Sequence, residues 1–250
     1  MVCHCDGENQ GLIDLIADSG AVALLLEDDA AAAVGDPRAL GLGTWRSLLD
    51  AAPASAAIHQ ADEDAPAFWL YSSGTTGKPK GIVHAHRSVA HAHVFARDVL
   101  GATPADVFYS TSKLFFAYPL ANALFAGLRL GASVVLDAEW PNPERVARNV
   151  ARYCPTLLFS VPTLYRRLTE AGVPFASLRR AVSAGEACPP DVAEDWLRLT
   201  GLSLVNGYGT TETLALMLYR TADMSGIRAT PLTQVRTDDE EGGRDGAVRL

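Results

Sequence analysis

The sequence predicts an α/β protein built on a parallel sheet, and three observations carry that expectation. Short apolar runs alternate with amphipathic helical stretches over residues 107–206, the pattern of strands joined by crossover helices. Polar, glycine-bearing segments at 183–187 and 206–212 follow the ends of two of those runs, where open α/β sheets bind ligands. A third such segment, at 72–81, lies between the apolar runs 68–71 and 82–84 and reads as a loop joining two strands.

Taken in order, residues 12–20 read as a helix with Gly20 as its C-cap, followed by a strand over 21–26. Residues 27–66 are rich in Ala, Asp, Gly and Pro and read as a long excursion with one short helix at 44–51. A helix is expected at 87–100, a strand at 107–110, an apolar helix at 118–130 and a buried strand at 133–136. A helix at 142–153, with Pro143 in its first turn, suits proline's fixed φ. Strands at 156–160, 178–183 and 203–206 then alternate with helices at 163–171 and 190–200. From residue 223 the texture changes. An acidic, turn-like segment at 237–243 has short apolar runs on either side.

Composition narrows the class. The chain has 250 residues, 48% of them hydrophobic, and a net charge of −8. That is enough chain for a substantial core. The negative balance, with no basic block, argues against nucleic acid and anionic membranes. No apolar run reaches membrane-spanning length, and the start lacks the pattern of a secretion signal, so the expected location is the cytoplasm. Cys3-His4-Cys5 has no second ligand pair at a metal-binding spacing. His84-Ala-His86 and His91-Ala-His93 read as parts of a strand and of the helix after it, not as a metal site.

The segment Phe68 to His86, FWLYSSGTTGKPKGIVHAH, carries the chemistry. Ser72, Ser73, Thr75 and Thr76 offer hydroxyls. Gly74, Gly77 and Gly81 let backbone amides approach anionic oxygens. Lys78 and Lys80 are two of only three lysines in the chain, and Pro79 stiffens the turn between them. These are the parts of a polyphosphate cradle. It is not a Walker A loop, because Gly74 and Gly77 stand two residues apart and Pro79 follows Lys78.

Five segments, in order, resemble the adenylate-forming superfamily of acyl- and aryl-CoA ligases, luciferases and peptide-synthetase adenylation domains, with the benzoate-CoA ligases most similar. They are Ser72-Ser73-Gly74-Thr75-Thr76-Gly77-Lys78-Pro79-Lys80-Gly81, the run from Lys113 through Tyr118 with Asn122-Ala123-Leu124, Val161-Pro162-Thr163-Leu164-Tyr165, Ser183-Ala184-Gly185-Glu186-Ala187, and Asn206-Gly207-Tyr208-Gly209-Thr210-Thr211-Glu212.

The resemblance implies ATP- and Mg²⁺-dependent activation of an aromatic acid as its acyl-adenylate, then transfer to a thiol, with coenzyme A the expected acceptor. It implies that Thr75, Thr76, Lys78 and Lys80 handle the β- and γ-phosphates. Thr211 would donate to the α-phosphate, and Glu212 would hold Mg²⁺, a role suited to a hard carboxylate oxygen. Tyr208 would stack on adenine, with Gly185, Glu186 and Ala187 facing it and Asn206, Gly209 and Thr210 completing the nucleotide site. Phe116, Ala117, Tyr118, Ala184, Gly209, Ala215 and Leu216 would wall the acyl pocket. Benzoate-type ligases carry a His where this chain has Ala215, a departure that widens the pocket for substituted or larger rings.

The same resemblance divides the chain into a remnant of a first α/β subdomain (1–66), an ATP- and acyl-binding core (67–222) and the start of a β-barrel-like subdomain (223–250). It implies an N-terminal domain truncated at both ends. The family's ribose-binding aspartate and its C-terminal domain with a charge-stabilising lysine would lie beyond Leu250. A separate C-terminal domain or a carrier protein is then a possible partner. The alternative reading is a non-catalytic homologue that binds nucleotide or a partner protein.

Overall fold

A computed structural model describes residues 9–54, 57–73, 79–237 and 248–249. The chain runs α1 (Asn9–Ser19), β1 (Leu24–Leu26), α2 (Asp28–Val34), β2 (Ala39–Gly41) and α3 (Leu42–Ala51). The hairpin strands β3 (Pro66–Ser73) and β4 (Pro79–Ala85) follow, then α4 (His86–His91), α5 (Val94–Asp98) and β5 (Val107–Ser110). A long helix begins as α6 (Ala117–Pro119), widens to a π-helix over Leu120–Phe125 and ends as α7 (Ala126–Leu130). Next come β6 (Ser133–Val135), α8 (Pro143–Tyr153), β7 (Leu157–Ser160), α9 (Pro162–Glu170), β8 (Arg180–Ser183), α10 (Pro190–Thr200) and β9 (Leu204–Tyr208). Short strands close the chain: β10 (Leu218–Arg220), β11 (Arg228–Ala229), β12 (Arg236–Thr237) and β13 (Val248–Arg249).

Seven strands form the main sheet in the order β11-β10-β9-β8-β7-β5-β6. The five from β9 to β6 are parallel, as the sequence pattern predicts, whereas β10 and β11 add antiparallel at one edge. Alternation along each strand feeds two cores. Phe108, Leu157, Phe159, Val182 and Val205 face a layer that includes Phe95, Leu100, Ala123 and Ala126. Their neighbours Tyr109, Leu158, Ala181 and Leu204 face Val146, Val150, Tyr165, Leu168 and Trp196 of α8, α9 and α10. The sheet is thus sandwiched between helical layers, with strand C-terminal ends free to carry ligand segments.

Several expectations need correction. The excursion 27–66 holds α2 and β2, with β2 parallel to β1. The alanine run of α2 favours helix, and Gly35 closes it at φ 64°. The single helix expected at 87–100 is two, because the chain turns at Ala92 and His93, where a His93 ring nitrogen bonds the Ala90 carbonyl at 2.9 Å. His86 opens α4 instead of extending the strand. The strand expected to end at Asn206 runs to Tyr208. Cys3-His4-Cys5 lies outside the described residues. Among the described residues, no cluster of three or more His, Cys, Asp or Glu could hold a metal, and no helix is long and apolar enough to cross a membrane.

Candidate active site

The phosphate-loop hairpin is antiparallel, with Ser72 opposite Lys80 and Tyr71 opposite Gly81. Gly74, Thr75, Thr76, Gly77 and Lys78, all predicted to bind phosphate, lie outside the described residues. Successive strand residues alternate faces, so Tyr71 and Lys80 project from opposite sides. The Tyr71 hydroxyl donates to Asp18 on α1 at 2.7 Å. Burial, reinforced by that carboxylate, pushes this phenol up to about 12. One face of the hairpin is therefore fixed to α1, and Lys80 stands exposed on the other.

Lys80 faces the turn that leaves β9. The turn is closed by Thr213, whose Oγ1 accepts from the Thr210 amide at 3.1 Å and donates toward the Thr210 and Ala215 carbonyls. Its Glu212 side chain is exposed. That carboxyl is held below its ordinary range by its own backbone amide first, then by the Thr210 hydroxyl, with the charges of Lys80 and His84 adding to the effect. An ionised oxygen donor beside a lysine fits a hard cation held together with phosphate oxygens. The hairpin and the turn thus bring together Lys80, Thr211 and Glu212.

His84 lies behind them. It is 4% exposed and stacks on Phe68 with ring centroids 5.1 Å apart. Burial lowers its pKa, while the Thr211 backbone and the Glu212 charge oppose that shift. Sequence reading takes His84 only as a strand residue. Its place behind the turn depends on a tertiary contact that no local pattern encodes.

Two cavities meet beside this turn. The first, about 400 Å³, is lined by every residue predicted for the acyl pocket, and by Thr210 and Thr211. Ser112, Pro119, Asn122, Val161 and Leu214 also line it and are absent from the sequence-based set of wall residues. The second, about 630 Å³, is lined by Gly185, Glu186, Ala187, Asn206, Tyr208 and Gly209, all predicted for the nucleotide. Gly207, Leu218, Tyr219, Arg220 and Ile227 complete its wall. The run Leu216-Met217-Leu218-Tyr219 could have signalled the strand behind it, though three residues of strand give little periodicity.

Gly185, Glu186 and Gly209 line both cavities. Gly185 sits at φ 88°, where a side chain would be strained. A Cβ on Gly209 would stand 2.8 Å from the Ala215 carbonyl oxygen, so glycine permits the strap 214–216 to cross it. The Glu186 carboxylate accepts from the Thr163 hydroxyl at 2.8 Å, which anchors the shared wall to α9. Tyr208 ends β9 with 52% of its surface exposed, free to present a ring face to a flat base.

The sequence profile of the AMP-binding enzyme family matches residues 7–247. The chain belongs to that family. Its fold is that of the adenylate-forming N-terminal domain. The chain is 39% identical over 206 residues to a 3-hydroxybenzoate–CoA/4-hydroxybenzoate–CoA ligase of Thauera aromatica, covering 79% of this chain and 39% of the relative. It is 40% identical over 216 residues to a benzoate–CoA ligase of the same organism, covering 83% and 40% respectively. Among solved structures, a benzoate CoA ligase from Burkholderia xenovorans LB400 superposes with a TM-score of 0.82 at 30% identity, over 94% of this chain and 51% of that one. The chain thus spans about two fifths of the length of these curated relatives.

Proposed function

We propose that the chain activates an aromatic carboxylic acid with ATP. The acid's carboxylate oxygen attacks the α-phosphorus, pyrophosphate leaves, and the acyl-adenylate formed is then attacked by a thiol, that of coenzyme A, releasing AMP. The observation that carries this reading is the adjoining pair of cavities with the Lys80–Thr211–Glu212 constellation beside them. A mostly apolar cavity suits a flat ring, and its neighbour ends at an exposed tyrosine suited to a purine. The relatives' names, hydroxybenzoate– and benzoate–CoA ligases, support the aryl acid and the CoA acceptor.

In this reading Ser72, Ser73, Gly74, Thr75, Thr76, Gly77, Lys78 and Lys80 hold the β- and γ-phosphates, and the Thr211 hydroxyl donates to the α-phosphate. Tyr208 stacks on the adenine against the wall of Gly185, Glu186 and Ala187. Phe116, Ala117, Tyr118, Ala184, Gly209, Ala215 and Leu216 position the ring so that the carboxylate meets phosphorus. Such positioning is worth several orders of magnitude in rate. Glu212 would hold Mg²⁺, which would neutralise phosphate charge.

Competition binding with benzoate, substituted benzoates and a medium-chain fatty acid tests the substrate class. Aryl acids should bind the tighter. A clear preference for the fatty acid would overturn the aryl assignment.

A further inference from the structure

Asn122 lies within the π-helix and is 1% exposed. Its Nδ2 donates to the Tyr118 carbonyl at 3.0 Å, and its Oδ1 accepts the Leu216 amide at 3.4 Å. Tyr118 belongs to the helical wall of the first cavity and Leu216 to the strap on the facing wall. One buried side chain therefore links the helical wall to a strap that stands 94 positions beyond Asn122 in sequence.

The strap end needs this partner. A π-turn departs from the regular i→i+4 ladder and recurs at functional sites, and here the Tyr118 carbonyl is met by a side chain. The strap is irregular: Leu214 sits at φ 63°, and the bonds around Leu216 are otherwise committed. The Leu216 carbonyl accepts the Thr230 hydroxyl at 2.9 Å, and the Met217 amide donates to the Tyr208 carbonyl at 2.8 Å. Thr211 and Glu212 lie four to five residues upstream on the same segment.

We infer that Asn122 is a positioning residue that sets the gap between the helical wall and the strap, and through that gap the fit of the aryl acid. This rests on the reading of the cavity as the acid's seat. Removing the amide leaves the buried Leu216 N–H without its partner. The strap can regain a partner only by moving away from the helix.

The test is calorimetric binding of benzoate and of Mg·ATP, with melting temperatures, for wild type, Asn122→Leu and Asn122→Ser. Asn122→Leu should weaken benzoate about tenfold and reduce discrimination against bulkier aryl acids, with Mg·ATP affinity within about twofold of wild type. The hydroxyl of Asn122→Ser can bond back to the Tyr118 carbonyl but is too short to reach the strap, so its benzoate affinity should fall with that of the leucine variant. Where the leucine variant fails to fold, the serine variant carries the test: it must weaken benzoate more than Mg·ATP. Equal losses for both ligands, or none for either, would overturn the inference. If wild type binds benzoate and the variants match it, this inference alone fails. If wild type binds no aryl acid, the reading of the cavity fails with it.

Discussion

The Tyr118 hydroxyl donates to the Val182 carbonyl at 2.9 Å, tying the helical wall of the first cavity to a central strand of the sheet. The Tyr165 hydroxyl donates to the same carbonyl at 3.0 Å. Burial holds both phenols well above the ordinary tyrosine range. Tyr118 therefore offers the cavity a ring and not a hydroxyl. Tyr118→Phe should cost about 1 kcal/mol of stability in urea denaturation, because Tyr165 still satisfies Val182. It should leave aryl-acid affinity within about twofold. A larger loss of affinity would show that the hydroxyl serves the ligand.

Lys80 is exposed on β4 and acts on the Glu212 carboxyl. Lys80→Ala should weaken Mg·ATP binding about tenfold, or ~1.4 kcal/mol, by removing a charge-assisted phosphate contact. The melting temperature should hardly move, since an exposed side chain contributes little to packing. Calorimetry decides it: equal affinity in wild type and variant removes Lys80 from the nucleotide site.

Ala215 lines the first cavity and packs against the cluster of Leu70, Ala117, Ala121 and Leu214. A ring placed there would take space from about 400 Å³. Ala215→His should lower affinity for substituted benzoates about tenfold relative to benzoate. Unchanged relative affinities across a benzoate series would show that position 215 does not limit ring size.

The central sheet was legible because its strands β5, β6, β7 and β8 are short apolar runs, each followed by a helix. Pro143 and Pro190 open α8 and α10, and Gly201 closes α10. The walls of the two cavities were legible where a contiguous motif supplies them, as at Gly185 and Tyr208. What stayed hidden lacks a local signature. The strands β10 and β11 are three and two residues long, too short for alternation to register. Hydrophobic periodicity cannot distinguish a π-turn from α-helix, so the wall function of Asn122 and its reach to Leu216 appear only in three dimensions. The same holds for His84, whose contact with the 210–213 turn joins segments more than a hundred residues apart.

At the opposite end of the sheet from the ligand segments, Asp106 is tied to Arg179, whose Nη2 lies 2.6 Å away. It also accepts from Thr103 and Thr156. Arg179 first, and Thr156 and Thr103 after it, hold the Asp106 carboxyl well below the ordinary range. Arg145 does the same for Asp137, lowering it to about 2. Both folded pKa values lie below the unfolded value near ~3.9. Their stabilisation is therefore complete above about pH 5 and is lost as pH falls through the range between the unfolded and folded values. Acid titration followed by circular dichroism should show stability declining from about pH 4 downward. Asp106→Asn should cost about 2 kcal/mol at pH 7, with Arg179's partial exposure keeping the loss below that of a fully buried pair. It should also flatten the acid limb. An unaltered acid limb would show that the pair does not govern it.

Aryl-acid-dependent ATP–pyrophosphate exchange tests the central claim most directly, because it requires the two cavities and the turn beside them to act together. Benzoate or a substituted benzoate should drive exchange with Mg·ATP, a medium-chain fatty acid should not, and Glu212→Gln should reduce the rate about a hundredfold. Exchange driven better by the fatty acid, or no exchange with any aryl acid while Mg·ATP and benzoate both bind, would contradict the account.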